Sequence, residues 1–260
     1  MEDELFSLLE RIATPEHIAH ACLALCRELG FDYYLFNLCV PQRSGKPVGL
    51  VLSSLPESWQ QHYHACGYEK IDPVVERASC SVVPFFWEEI ARDTSARRGF
   101  FEDARRFGIQ WGLTCPLAGP LNSTGLLSLM RHSPAEQERH GRRALVSKAM
   151  AFAAYLHEAT RTMLSGSDER RVANESLLTR RERECLALSA SGYTTSEIAE
   201  SLSIKPRTVA FHIDRSVVKL GVRSRRAAVT RALLLGEITP HSLWQTLEHR
   251  VPIGPYYHRL

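Results

Sequence analysis

Residues 177–236 constrain the chain most, because the helix boundaries there are written in the sequence itself. Thr179-x-x-Glu182 and Thr194-x-x-Glu197 are capping boxes. In each, a hydroxyl and a carboxylate three residues apart satisfy orphan amides at a helix start. Gly192 offers the left-handed stop that ends the first helix. Pro206 opens a third helix at the one position where its missing N–H costs nothing, Gly221 closes that helix, and Ser224 caps a fourth carrying Ala228, Ala232 and Leu235 on one face. Between the second and third helices only Ser203-Ile204-Lys205 remains, a short turn. Ile198, Ala199 and Leu202 mark the inner face of the second helix, and Val209, Ile213, Val217 and Leu220 recur at threes and fours along the third. Two short helices joined by a tight turn, the second amphipathic, make a helix-turn-helix inside a small all-α four-helix domain.

Charge assigns this segment a partner. Residues 176–236 hold eleven Lys/Arg against five Asp/Glu, a net +6, whereas the rest of the chain holds 21 against 24, a net −3. A mildly acidic body carrying a basic segment points to nucleic acid for that segment alone. On the third helix Lys205, Arg207, Thr208, His212 and Arg215 are the polar groups available to a major groove. Each cation that neutralises a phosphate releases counterions and contributes about −0.9 to the salt slope. Thr208 and the helix N-terminus can donate to phosphate. Ala210 and Asp214 also fall on groove-facing positions. An aspartate repels phosphate but accepts from a cytosine amino group, which predicts unusual base preference. The competing reading is a basic helical bundle that contacts protein.

The 260 residues, 44% hydrophobic and 23% charged, suffice for a second globular domain. Helical patterns over 2–12, 15–29, 56–66, 72–79, 98–107 and 135–160 alternate with strand patterns over 31–40, 48–53, 112–117 and 125–131. Few strands with helices to either side predict an α/β/α sandwich. The polar run 161–176, with Ser165-Gly166-Ser167-Asp168, reads as linker. The expected division is a larger α/β domain over 1–165, a linker over 166–176, the helix-turn-helix over 177–236 and an extension over 237–260 holding Trp244, Tyr256 and Tyr257. The acidic opening Met1-Glu2-Asp3-Glu4, the lack of a membrane-length apolar run and seven scattered cysteines without C-x-x-C predict a reduced, cytoplasmic, membrane-free setting without structural zinc. No phosphoacceptor receiver fits: Asp32 begins its strand instead of following it, and Lys46 and Lys70 are the only lysines before residue 148.

What stands out in the larger domain is Leu55-Pro56-x-x-Trp59-x-x-x-Tyr63, followed by Tyr68-x-x-Ile71-Asp72-Pro73-Val74. Trp59 and Tyr63 share a helix face. Asp72 lies in an apolar setting, where a carboxylate needs hydrogen-bond donors. An amide N–H on a ligand would serve; so would the first amides of a helix opening at Pro73, with the aromatics as ordinary core. Phe85-Phe86-Trp87 adds an aromatic wall. His62 and His64 lie on different helix faces, with His62 expected in solvent.

The string LLTRRERECLALSASGYTTSEIAESLSIKPRTVAFHIDRSVVKLGVRSRRAAVTRAL resembles the DNA-binding domain of LuxR-type transcription regulators, with Glu182, Leu186 and Gly192 in that domain's characteristic set. The pattern S-x-L-P-x-x-W-x-x-x-Y-x-x-x-x-Y-x-x-I-D-P-V, then W-x-E, then G-I-x-x-G-L-T-x-P, resembles the autoinducer-binding domain of the same regulators. The resemblance implies that Trp59 bonds the lactone carbonyl of an acyl-homoserine lactone, that Asp72 accepts from its amide N–H, and that Tyr63 and Trp87 pack over the head group. Gly112 matches a further characteristic position. Ser128 matches a hydroxyl that reaches the acyl carbonyl in some relatives, and equally reads as a plain strand residue. Many relatives carry tyrosine where this chain has Leu55, whose side chain offers no hydrogen bond; either Ser53 or Ser128 supplies it, or the ligand differs. The resemblance further implies a homodimer, formed through the 135–160 helix and the fourth helix of the small domain, on double-stranded promoter DNA, with RNA polymerase as partner and no cofactor. Two alternatives stand beside it: a regulator answering another signal or none, and a lactone-acting enzyme, against which stands the lack of a G-x-S-x-G elbow or a His pair at i, i+4.

Overall fold

The computed structural model describes residues 2–42, 47–133, 141–164 and 177–239. The chain divides into two compact units, Met1–Gly166 and Ser167–Leu260. The first orders its elements as α1 (Glu2–Glu10), α2 (Pro15–Leu29), β1 (Tyr33–Val40), β2 (Val48–Ser53), α3 (Glu57–Ala65), α4 (Pro73–Ser79), β3 (Phe85–Phe86), α5 (Ser95–Arg106), β4 (Trp111–Ala118), β5 (Thr124–Arg131) and α6 (Gly141–Leu164).

The five strands form one antiparallel sheet in the order β2-β1-β5-β4-β3. The period-2 alternation of side chains explains why helices cover both faces. Phe36, Leu38, Val40, Leu113, Cys115, Leu127 and Leu129 point to one face and pack with Ile18, Leu25, Phe152 and Leu156 of α2 and α6. Phe36, Phe152 and Leu156 are fully buried, each stabilising the fold by roughly 1.5–3 kcal/mol relative to exposure. The opposite face carries Tyr33, Leu35, Phe85 and Met130 against Trp59 of α3, Val74 of α4 and Phe100 and Ala104 of α5. This is the α/β/α sandwich expected from sequence. The two-residue β3 escapes sequence reading, being too short to show alternation. Thr14 stands at the N-cap of α2, before Pro15, without a side-chain bond to the helix amides. The long-helix expectation begins at 135, but residues 134–140 lie outside the described residues, as do positions 165–176 and positions 240–260 with Trp244, Tyr256 and Tyr257; residues 161–164 of the run read as linker instead continue α6.

The second unit holds α7 (Arg180–Ala190), α8 (Thr195–Leu202), α9 (Pro206–Lys219) and α10 (Arg225–Leu234). Both capping boxes form: Thr179 accepts from the Glu182 N–H while Glu182 accepts from the Thr179 N–H, and Thr194 and Glu197 do likewise. Gly192 takes φ 89°, the left-handed conformation that releases the chain from α7. Ser203, in the turn to α9, takes φ 54° without being glycine. Arg225 fixes the start of α10 to the α7–α8 corner, donating to the Ser189 hydroxyl, the Thr195 hydroxyl and the Tyr193 carbonyl at 3.1, 3.2 and 2.6 Å.

Candidate ligand pocket and nucleic-acid interface

One register row crosses the sheet: Ser53 pairs with Leu35, Leu35 with Ser128, Ser128 with Thr114, and Thr114 with Phe85. These residues share the face under α3, α4 and α5, where a cavity of about 370 Å³ opens. Ser53, Leu55, Trp59, Tyr63, Asp72, Trp87 and Ser128 all line it, so the residues singled out in sequence meet at one place. A wider groove of about 840 Å³ adjoins across β1, β2 and the end of α4, sharing Asn37, Val51, Val75 and Leu126 with the first.

Asp72 caps α4, as one reading of its sequence context expects, and also lines the cavity. Its Oδ1 caps α4, accepting from the amides of Val74 and Val75 at 2.7 and 3.3 Å. Its Oδ2 accepts from the Tyr63 hydroxyl at 2.9 Å. The side chain is buried and, among the described residues, no cation pairs with it. Burial raises its pKa; the bonds from Val74, Tyr63 and Val75 only partly oppose that shift. Burial and the neighbouring Asp72 charge push the Tyr63 phenol up in turn. A carboxylate oxygen has two lone-pair sites, and Oδ2 receives one protein donor. It therefore retains capacity for a second donor from the cavity.

The aromatic wall is held by a short hydroxyl chain. The Trp87 indole N–H donates to Thr114 Oγ1 at 2.9 Å, and Thr114 Oγ1 lies 2.7 Å from Ser128 Oγ. Either hydroxyl can donate in that pair; when Thr114, which already accepts from the indole, donates to Ser128, the Ser128 hydrogen is left for an acceptor in the cavity. Trp87 lies across β4 only because residue 112 is glycine: a Cβ there would meet the indole at 2.4 Å. Ser53 accepts from the Leu55 amide at 3.0 Å, and its hydrogen likewise remains for another acceptor. The Leu55 side chain is buried in the apolar cluster with Trp59 and Phe100.

In the second unit Val209, Ile213, Ser216 and Leu220 turn inward. Lys205, Arg207, Ala210, Asp214 and Arg215 are exposed along α9, with Thr208 and His212 half-buried. Below them Glu182 is buried, its Oε2 held by Lys219 Nζ at 2.7 Å and by the Thr179 amide at 2.7 Å. Burial works to raise its pKa, but Lys219 and Thr179 outweigh it and hold the carboxyl below the ordinary range. Arg215 leans toward the same acid, with Nε 3.9 Å from Glu182 Oε1.

Residues 14–160 match the family model described as "Autoinducer binding domain", and residues 176–232 match "Bacterial regulatory proteins, luxR family". The chain belongs to the LuxR family of bacterial transcription regulators. Among its relatives is the transcriptional activator protein SolR of Ralstonia solanacearum, 32% identical over 88% of this chain and 95% of SolR. The crystal structure of Escherichia coli SdiA superposes with a TM-score of 0.64 at 26% identity, covering 92% of this chain and 98% of SdiA. The N-acylhomoserine-lactone-dependent LuxR-family factor CepR2 of Burkholderia cenocepacia superposes at a TM-score of 0.51 and 25% identity, covering 64% of this chain and 96% of CepR2.

As a LuxR-family member the chain is a transcription regulator and not an enzyme, and no helix among the described residues is long and apolar enough to cross a membrane. Three residues gain roles that the sequence reading did not give them. Thr114 joins Trp87 to Ser128, a link visible only in the sheet register. Phe211 is 55% exposed on α9 opposite Val209 and Ile213; its place in the T-V-x-F-H string signalled it, but an aromatic residue type by itself suggests core. His62, expected in solvent, is half-buried, with Nε2 2.7 Å from Asp103 Oδ2 on α5. Nothing local announces a partner 41 residues away.

Proposed function

We propose that this regulator binds an acyl-homoserine lactone, or a related amide amphiphile, between its sheet and α3–α5, and reads promoter DNA as a homodimer. The observation that carries the reading is the spare acceptor capacity of Asp72 Oδ2, buried beside an indole in a cavity. A ligand amide N–H completes that oxygen. The Trp59 indole N–H, without a protein acceptor among the described residues, donates to the lactone carbonyl. Tyr63 and Trp87 pack over the head group. The acyl carbonyl accepts from Ser128, polarised through Thr114, or from Ser53, in place of the tyrosine hydroxyl that Leu55 lacks. The acyl chain runs over Leu126 and Val75 toward the wider groove, whose lining is largely apolar. The N–H-to-carboxylate bond is charge-assisted and contributes about 1.5–3 kcal/mol.

Under this reading the sensor spans 1–165, the linker 166–176, the DNA-binding domain 177–236 and the extension 237–260. The guest becomes part of the sensor core and stabilises the fold by mass action. Two copies then set their α9 helices into half-sites about one helical turn apart, in the cytoplasm, and engage RNA polymerase. Lys205, Arg207 and Arg215 contact phosphate, Thr208 assists at the helix N-terminus, and Ala210, His212 and Asp214 face the groove. Mass spectrometry of the molecule that copurifies with the full chain, paired with a promoter reporter, tests the proposal. An amide amphiphile, and a response lost in Asp72→Asn, are expected. A ligand without an N–H donor, or a reporter indifferent to Asp72→Asn, would overturn it in favour of a different signal or none.

A further inference from the structure

Outside the cavity, α3 and α5 are joined by a cluster with metal-ligand chemistry. His62 and Cys66 lie one turn apart at the end of α3, and Asp103 faces them from α5. Their ligand atoms all lie within 4.8 Å of one another. His62 Nε2 is 2.7 Å from Asp103 Oδ2 and 3.5 Å from Cys66 Sγ. A tetrahedral ion with ligands at about 2.0–2.3 Å separates them from each other by about 3.3–3.7 Å. The thiol–imidazole spacing falls there, but Sγ also lies 3.9 Å from Nδ1, over the ring, so the exposed thiol must turn toward the Nε2 lone pair, while the imidazole–carboxylate pair need open by only about half an ångström.

We propose that His62, Cys66 and Asp103 form a binding site for a zinc-class divalent cation that staples α3 to α5. Imidazole, thiolate and one carboxylate oxygen are a borderline-soft donor set that suits zinc and disfavours magnesium or calcium, which take oxygen alone. The cation displaces the thiol proton to solvent, moves the imidazole proton to Nδ1, and takes water as its fourth ligand. Asp103 is built to stay ionised: the Tyr68 hydroxyl donates to Oδ2 at 2.8 Å and Arg106 to Oδ1 at 2.9 Å, an outer shell that orients the carboxylate. Hydrogen bonds from His62 and then Tyr68 hold its pKa below the ordinary range. Other titratable groups near the cluster are Glu69, paired with His64, and Arg106. The site borders the pocket without lining it. Trp59, whose ring lies 6.1 Å from His62, and Phe100 hang from the two stapled helices into the cavity. A bound cation would thus stiffen the pocket wall. This site stands on its own residues, whatever small molecule the cavity takes.

The test is titration of cobalt(II) into the full-length, metal-stripped protein under a non-chelating reductant. One equivalent should give a near-ultraviolet thiolate-to-cobalt band and the visible bands of tetrahedral cobalt, both erased by zinc. Cys66→Ser should abolish the near-ultraviolet band, and His62→Gln should weaken binding by at least about 100-fold, beyond the loss of an outer-shell partner. Cys66 is exposed, so its serine variant should fold, and unchanged far-ultraviolet circular dichroism verifies this. Zinc should raise the sensor's melting temperature in the parent and leave Cys66→Ser unmoved. A thiolate band that survives in Cys66→Ser would transfer the metal to Cys39 or Cys80, the other exposed thiols, and overturn the proposal; so would the lack of saturation at one equivalent.

Discussion

Each unit of the protein buries one carboxylate at the start of a helix, and the two acids have opposite fates. Glu182 is enclosed by the Thr179 amide and the Lys219 ammonium, and its pKa falls. Asp72 has two helix amides and a phenol but no cation among the described residues, and its pKa rises. The first acid is complete within the fold and holds α7 to α9. The second is left short of a donor beside a cavity. A satisfied buried charge is structure; an under-satisfied one is a demand that a guest can meet. The difference sets what each acid still lacks: the Glu182 site is closed by its own chain, whereas Asp72 Oδ2 keeps an open acceptor position.

The largest expected effect breaks the satisfied side. Glu182→Ala strands Lys219 and the Thr179 amide, and should cost the DNA-binding unit about 2–4 kcal/mol, somewhat below the roughly 3–5 of a fully buried pair because Lys219 is 29% exposed. Calorimetry of the full chain should show that unit's transition shifting down while the sensor's stays put. The reverse asymmetry should follow at Asp72→Asn: signal affinity falls by about 10–150-fold, equivalent to 1.5–3 kcal/mol, while the signal-free melting temperature does not fall. A large drop in signal-free stability would instead make Asp72 a structural cap alone. Gly112→Ala pushes a methyl into the Trp87 ring and should cost about 1–3 kcal/mol through overpacking, read as loss of both sensor stability and ligand affinity.

The two acids also differ in sign with pH. Glu182, lowered in the fold from 4.5, contributes stability above that value that is lost as pH falls through its folded pKa. Asp72, raised in the fold from 3.8, favours the protonated fold, so its contribution is present below 3.8 and declines as pH rises through its folded pKa. Subtracting the pH profile of Asp72→Asn from that of the parent should leave a difference that grows against the parent from pH 3.8 upward. The corresponding difference for Glu182→Gln should favour the parent increasingly as pH rises toward and past 4.5. The smallest effect belongs to Ser128→Ala, about 1 kcal/mol of affinity, because the acyl carbonyl accepts a neutral hydrogen bond and Ser53 stands nearby on the same register row.

How much of this was legible in the sequence follows from the range of the interactions. The DNA-binding unit is governed by contacts three and four residues apart, so Thr179, Glu182, Gly192, Thr194, Pro206 and Ser224 announced its helices directly. In the sensor, alternation revealed β1, β2, β4 and β5, and the i, i+4 spacing of Trp59 and Tyr63 gave one wall of the cavity. Spacing could not decide between the two readings of Asp72, because the cap uses Oδ1 and leaves Oδ2 to Tyr63. Thr114 and the His62–Asp103 pair were hidden because strand register and helix apposition create them across 14 and 41 residues. Phe211 was hidden for a different reason, since residue type suggested burial and the helix face overruled it.

The most direct test removes the hydrogen from the guest instead of the acceptor from the protein. Affinities of the full chain and of Asp72→Asn are measured for an acyl-homoserine lactone and for its analogue with an ester oxygen in place of the amide N–H. The account predicts that the parent loses about 10–150-fold on going to the ester, while the variant binds both nearly alike. An equal loss in both proteins would mean that the ligand hydrogen goes elsewhere, and the role given to Asp72 would be wrong.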